Sequence, residues 1–224
     1  MCIRDSLWAA CDISRKYQAE GIMLTNWGDC GNHQPWATLY PPLFLGAQLA
    51  WSGKKVTDEQ IGSAVDHYVF KSPSFGLGYE LINLARLDPL TGFHLPNNSL
   101  PWFALFSAQP EKLPRHLEEH TNPEKIKRGL DWLNALDAKP LSSEKTVQGD
   151  QAEREWRLGI ELSKIGLQHA FSQLNHGTLF PKTNDLNLEL IEKFQEIWLV
   201  RARIGGLHEA VALLEKALQK TNRA

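Results

Sequence analysis

Hydrophobic positions along most of the chain recur at the spacing of a helix. Beyond residue 57, apolar side chains return every three or four positions, which places them on one helix face. This pattern predicts helices over about 57–69, 76–87, 122–136, 152–175, 185–198 and 207–218. Prolines crowd the stretch 89–114, which is therefore expected to be mostly loop. Because the connections are short, neighbouring helices should be antiparallel.

Two of these helices have recognisable starts. Thr57 and Gln60 stand at the spacing of a capping box, in which each side chain accepts a hydrogen bond from the other residue's backbone. Asn122 precedes Pro123, and proline is well suited to the first turn of a helix. We therefore expect helices to begin directly after Thr57 and after Asn122.

The first fifty residues follow a different pattern. The apolar run Ile22–Thr25 lies between Gly21 and Trp27, and it has the length and composition of a strand buried in a parallel sheet. A carboxylate at Asp29 follows, and then a helix-like segment over about 40–51. A strand, an exposed carboxylate and indole, and a helix in this order are typical of the mouth of a (β/α)8 barrel, where barrel enzymes have their active sites.

This part of the chain resembles glycoside hydrolase family 20, the β-N-acetylhexosaminidases, at its last barrel strand and helix. The matching residues are the run Gly21-Ile22-Met23-Leu24-Thr25-Asn26-Trp27-Gly28-Asp29, then Gly31, His33 and Gln34, then Tyr40-Pro41-Pro42-Leu43-Phe44-Leu45 through to Trp51. A second run, Trp198–Leu207, is similar to the helical tail of bacterial members. The resemblance implies a truncated α/β fold, the end of a TIM barrel in residues 7–52, followed by a mainly α-helical domain in residues 53–224. Within the first part, the last strand is expected at about 21–26 and the last helix at about 40–51.

The resemblance also implies an activity. Members of glycoside hydrolase family 20 are retaining exo-enzymes that remove terminal N-acetylhexosamine by substrate-assisted catalysis. In this reaction the substrate's own acetamido oxygen attacks the anomeric carbon. An adjacent Asp-Glu pair on an earlier strand orients the acetamide and protonates the leaving group. The one such pair here, Asp58-Glu59, lies inside the capping box. We therefore expect the catalytic pair to be missing, and this chain alone to be an inactive portion of a hydrolase.

Two substrate-binding residues follow from the resemblance. Asp29 would accept hydrogen bonds from outer hydroxyls of the sugar, which are strong because the acceptor is charged. Trp27 would form a wall beside the acetamido group with the flat face of its indole. Each has a structural alternative, since Asp29 could cap the turn before the next helix and Trp27 could pack in a core. No cofactor or metal is implied, and the expected partner is an N-acetylhexosamine-containing glycoside or oligosaccharide.

Other polar and aromatic residues have weaker functional interpretations. His33 is expected to be a solvent-exposed loop histidine. Trp36 could be a sugar-stacking lid or a packing residue. Arg201 and Arg203 precede Gly205-Gly206, which suggests a phosphate-binding loop, but cations and a glycine at the end of a helix have a structural explanation. We expect that structural role.

The chain begins with Met1-Cys2-Ile3-Arg4-Asp5-Ser6, which looks like the translation of a sequencing adapter. Residues 1–6 are therefore expected to be an artefact and the rest a C-terminal fragment, so localisation is not indicated. Composition is that of an ordinary globular protein, with 42% hydrophobic and 22% charged residues and a net charge of −2. No polybasic face indicates a nucleic-acid partner, and no apolar run reaches the length of a membrane helix.

Two alternatives to the hexosaminidase remain open. The chain could be a non-catalytic helical module that serves packing or partner binding. It could also be the end of another sugar-cleaving barrel enzyme with a similar closing strand. The three cysteines, Cys2, Cys11 and Cys30, do not have the spacing of a metal site. Sugar and linkage specificity and oligomeric state do not follow from the sequence.

Overall fold

The computed structural model describes residues 3–27, 32–93, 98–107, 112–175 and 184–223. Within these ranges, a short 3-10 helix, Trp36–Leu39, precedes the second of eleven α-helices. The α-helices are α1 Ile3–Lys16, α2 Tyr40–Ser52, α3 Asp58–Tyr68, α4 Leu77–Leu84, α5 Leu87–Thr91, α6 Leu100–Phe106, α7 Leu113–His120, α8 Pro123–Asp137, α9 Val147–Asn175, α10 Asn184–Arg201 and α11 Leu207–Arg223. The described ranges contain no β-strand.

The predicted strand at Ile22–Thr25 is wrong. Residues 21–27 have neither helical nor strand structure, and the side chains of Met23 and Trp27 are 85% and 76% exposed. A strand needs a neighbour for its backbone N–H and C=O groups, and the described residues offer none. Leu24 instead lies against Gly46 of α2. The expected α/β fold, the end of a TIM barrel, is therefore replaced by an all-helical fold over the described residues.

Several predicted helices are confirmed, and their boundaries follow from local chemistry. The capping box is complete: the Gln60 N–H donates to the Thr57 hydroxyl at 3.3 Å, and the Thr57 N–H donates to the Gln60 side chain at 2.9 Å. Asn122 accepts from the Lys125 N–H at 2.9 Å and begins α8. Gly53 caps the C-terminal end of α2, and its φ of 69° is the left-handed conformation that glycine adopts without steric cost.

The proline-rich stretch 89–114 is not the expected loop, because α5, α6 and α7 occupy most of its described residues. Pro101 and Pro114 stand in the first turns of α6 and α7. A proline in that position sacrifices no helical hydrogen bond, since the first N–H groups of a helix have no partner in any case. The prolines here begin short helices instead of excluding them. Helix α1 was not predicted either.

The chain forms two compact units, each made of separate stretches of sequence. The first contains residues 1–27, 36–83 and 140–153. Its core includes Leu7 and Cys11 of α1, Leu45 and Leu49 of α2, and Ile61 of α3. Helices α3 and α4 approach closely in this unit, because a Cβ atom on Gly78 would lie 2.2 Å from the carbonyl oxygen of Gly62.

The second unit contains residues 28–35, 84–139 and 154–224. One of its cores joins α9, α10 and α11 through the buried residues Leu158, Leu162, Leu190, Phe194, Ile197, Leu207, Ala210, Leu214 and Leu218. Trp198 packs partly buried against this cluster, whereas Trp156 is fully buried. No described helix combines the length and hydropathy that crossing a bilayer requires.

Candidate functional site

The structure locates one of the two predicted sugar contacts. Trp27 lies at the end of the irregular segment 21–27, with 76% of its surface exposed. It is therefore not a core residue, which was the structural alternative. Asp29 lies outside the described residues, so both its sugar-binding role and its capping role stay predictions. Trp36, in the 3-10 helix, is 46% exposed and remains compatible with either of its two interpretations.

A shallow groove in the first unit is lined mainly by apolar side chains. It has a volume of about 460 Å³ and runs between α2 and α3, with Phe44, Trp51 and Tyr68 among its lining residues. Trp51 is 94% exposed, and Phe44 and Tyr68 stack with ring centroids 6.5 Å apart. Trp27 does not line this groove. The lining contains no carboxylate, imidazole, amine or guanidinium group, and Tyr68 is its one residue with an ionisable side chain.

His33 is buried, and its prediction as an exposed loop histidine is wrong. Its Nε2 lies 2.7 Å from the carbonyl oxygen of Ala210, and because a carbonyl only accepts, Nε2 carries the proton. The ring stacks on Phe106 at a centroid distance of 4.1 Å and tilts against Phe194 at 5.3 Å. His33 therefore belongs to the core of the second unit, where it links the segment 32–35 to α11.

Arg201 has a structural role, but through an ion pair that the sequence did not predict. Its Nε donates to a carboxylate oxygen of Glu155 at 2.5 Å, and the Glu155 side chain is fully buried. A guanidinium that pairs with a buried carboxylate stabilises the core, so we do not expect it to bind a phosphate. The left-handed glycine is Gly206, with φ 80°, and it directly precedes α11 instead of capping α10.

Two carboxylates, the buried Asp66 and the partly buried Asp88, have raised pKa values. Burial raises the pKa of Asp66 to about 6, even though its oxygens accept the N–H groups of Gly78 at 2.8 Å and Gly76 at 3.0 Å, which act in the opposite direction. Burial likewise raises the pKa of Asp88 to about 6, against the lowering effect of the Leu100 N–H. A raised pKa suits a general acid, but Asp66 is 3% exposed and holds a turn together. We assign Asp66 a structural role.

A cluster of possible metal ligands lies on α7. His116, Glu119 and His120 each offer a ligand atom, and these atoms lie within 4.8 Å of one another. It is the one such group of three that the described residues contain. The cluster was not predicted from the sequence, because no helix was expected between the proline-rich stretch 89–114 and Asn122. The signal was the spacing His-x-x-Glu-His, which places all three side chains on one face only if the residues are helical.

Known proteins provide no further identification. Comparison of the chain with models of protein families, with curated proteins and with solved structures finds no match.

Proposed function

We propose that this chain is the C-terminal portion of a retaining exo-β-N-acetylhexosaminidase of glycoside hydrolase family 20. The observation that carries the proposal is the ordered resemblance of the two runs Gly21–Asp29 and Tyr40–Trp51 to that family. The proposed substrate is a glycoside or oligosaccharide with a terminal N-acetylhexosamine. Trp27 and Asp29 are its proposed contacts.

The exposure of Trp27 supports this role. Tryptophan is mostly buried in folded proteins, because its large ring loses much favourable free energy when it stays in water. An indole that remains 76% exposed two positions before a carboxylate in the sequence has the chemistry that a sugar requires. The flat ring can cover an apolar sugar face, and the carboxylate can accept two hydroxyl hydrogen bonds.

The reaction itself needs groups that this chain does not supply. Substrate-assisted hydrolysis requires a carboxylate that orients the acetamide and an acid that protonates the leaving oxygen. Asp58 and Glu59, the one Asp-Glu pair, form the first turn of α3 after the capping residue Thr57. We expect no hydrolysis of an aryl N-acetyl-β-glucosaminide by the purified chain. Turnover by the chain alone would contradict the proposed absence of the catalytic pair.

The test of the site uses the enzyme encoded by the whole reading frame. Asp29→Ala should lower kcat/KM for an aryl N-acetyl-β-glucosaminide by about two to three powers of ten, or about 3–4 kcal/mol at about 1.36 kcal/mol per decade. Trp51→Ala is the control substitution, because Trp51 is more exposed than Trp27 and has no proposed sugar contact. Full activity in Asp29→Ala would remove Asp29 from the site and, with it, the main support for the proposal.

A non-catalytic helical module is the second candidate. The all-helical fold of the described residues favours it, as do the exposed apolar side chains of Met23, Trp27 and Trp51. Exposed apolar surface is typical of interaction sites. The same assay separates the two candidates, because an interaction module would give no hydrolysis from the whole reading frame.

A further inference from the structure

The geometry of α7 gathers three metal-binding side chains at its C-terminal end. Residues 116, 119 and 120 are related by steps of three and four, so they share one helix face. The candidate ligand atoms of His116, Glu119 and His120 lie within 4.8 Å of one another. Two metal–ligand bonds of about 2.0–2.2 Å can span such a separation after small rotations of the side chains. The helix therefore presents a preformed set of two imidazoles and one carboxylate.

Two phenylalanine rings pack against the imidazoles of His116 and His120, and neither forms a hydrogen bond with a ring nitrogen. The ring of Phe103 meets His116 edge-on at 5.5 Å, and that of Phe93 meets His120 in the same way at 6.3 Å. Nδ1 of His116 is buried and has no hydrogen-bond partner among the described residues. No group among the described residues therefore fixes the tautomer of His116 through that nitrogen. The side chain of His120 is 40% exposed and that of Glu119 is 45% exposed, so an ion can reach them from solvent.

Electrostatics at this end of the helix favour a cation. The last carbonyl groups of a helix carry partial negative charge, and His120 is the final residue of α7. Arg115 donates a hydrogen bond to the Glu119 carboxylate at 2.8 Å. Arg115 is also a competitor for that carboxylate. Its side chain is 83% exposed, so it can turn away into solvent when another cation arrives.

We propose that His116, Glu119 and His120 bind a zinc ion or a similar divalent transition metal. Imidazole nitrogen and carboxylate oxygen are established zinc ligands, and a site with three protein ligands leaves a fourth position for water. The proposal is independent of the hexosaminidase assignment. It rests on the geometry of one helix and not on the resemblance.

The test is a titration of the purified chain with ZnCl2, followed by isothermal calorimetry. The chain carries no affinity tag, because added histidines would bind the metal. His120→Gln and Glu119→Gln each remove one ligand from an exposed position, so neither should disturb the fold, and circular dichroism checks this. His208→Gln is the matched control, since it removes another exposed histidine that belongs to no described group of three.

The expected result is one zinc ion bound per chain. Each ligand variant should weaken Kd at least about tenfold, because even loss of a group that only supports a ligand costs about 10–100-fold in affinity. His208→Gln should bind like the wild type. Co²⁺ in place of Zn²⁺ should show visible absorption that the ligand variants lose. Absence of binding, or a Kd that changes less than tenfold in either ligand variant, would overturn the site.

Discussion

Asp66 gives the structure a pH dependence that can be isolated experimentally. The side chain accepts the N–H groups of Gly76 and Gly78, and burial raises the pKa of its carboxyl from 3.8 to about 6. The folded protein therefore binds the Asp66 proton more tightly than the unfolded chain does. It follows that stability from this group is fully present below about pH 3.8 and is lost as the pH rises through about 6.

The size of the loss follows from the two pKa values. Between about pH 4.5 and about pH 7, a carboxyl that titrates near 3.8 when unfolded and near 6 when folded reduces the free energy of unfolding by about 2 kcal/mol. Asp66→Asn removes this titration and keeps the shape of the side chain. It also replaces one acceptor by a donor that faces an N–H group, which costs about 1–3 kcal/mol at either pH. The absolute stability of the variant is thus less informative than its pH dependence.

The measurement is urea unfolding of the wild type and Asp66→Asn at both pH values, with stability obtained by linear extrapolation. On going from the lower to the higher pH, the wild type should lose about 2 kcal/mol more than the variant. Asp88 also has a raised pKa, but it is present in both proteins and cancels from this difference. Equal pH dependence in the two proteins would show that Asp66 is ionised in the fold at low pH, and the reasoning from burial would fail.

Two further predictions concern packing. Gly78→Ala should destabilise the protein by at least about 1–3 kcal/mol, because the new Cβ would lie 2.2 Å from the backbone oxygen of Gly62 and force α3 and α4 apart. Gly21→Ala, where nothing lies within 4 Å, should cause no loss in the same urea titration. Trp156→Ala should cost about 3–5 kcal/mol because Trp156 is fully buried, whereas Trp51→Ala, at an exposed position, should stay within about 0.5 kcal/mol. Thermal melts of this second pair with similar midpoints would contradict the core assignment of Trp156.

Helices with strong local signals were predicted well from the sequence. The capping residues Thr57 and Asn122 and the long apolar periodicity of α9 act within a few turns of the chain, so no distant partner is needed to predict them. The short helices α5, α6 and α7 were missed because isolated helices of five to eight residues are unstable without tertiary packing. Their prolines were interpreted as breakers, although they occupy positions that a helix tolerates.

The predicted strand at Ile22–Thr25 failed for a different reason. An apolar run of four residues has no periodicity of its own that distinguishes a strand from other buried or exposed segments. A strand exists only when a neighbour pairs with its backbone, and that neighbour is not encoded in the run itself. Ile22 and Leu24 are each 38% exposed, so the run is not even buried on one face. His33 shows the opposite error, because it was predicted to be exposed and is buried. Its burial depends on Phe106, Phe194 and Ala210, which are far away in sequence.

Rejecting the strand leaves the two interpretations of Asp29 distinguishable. A carboxylate can bind a sugar from a loop as well as from a strand end, because binding depends on its position and not on the backbone that supplies it. If Asp29 only caps a turn, Asp29→Ala should cost about 0.5–2 kcal/mol of stability and leave kcat/KM of the folded enzyme unchanged. If Asp29 holds the sugar, the loss should fall on kcat/KM and not on stability. Under the proposed function, Asp29→Asn should be milder, because one acceptor remains, and the acidic limb of the pH–rate profile should not move, because the proposed general acid is a different residue.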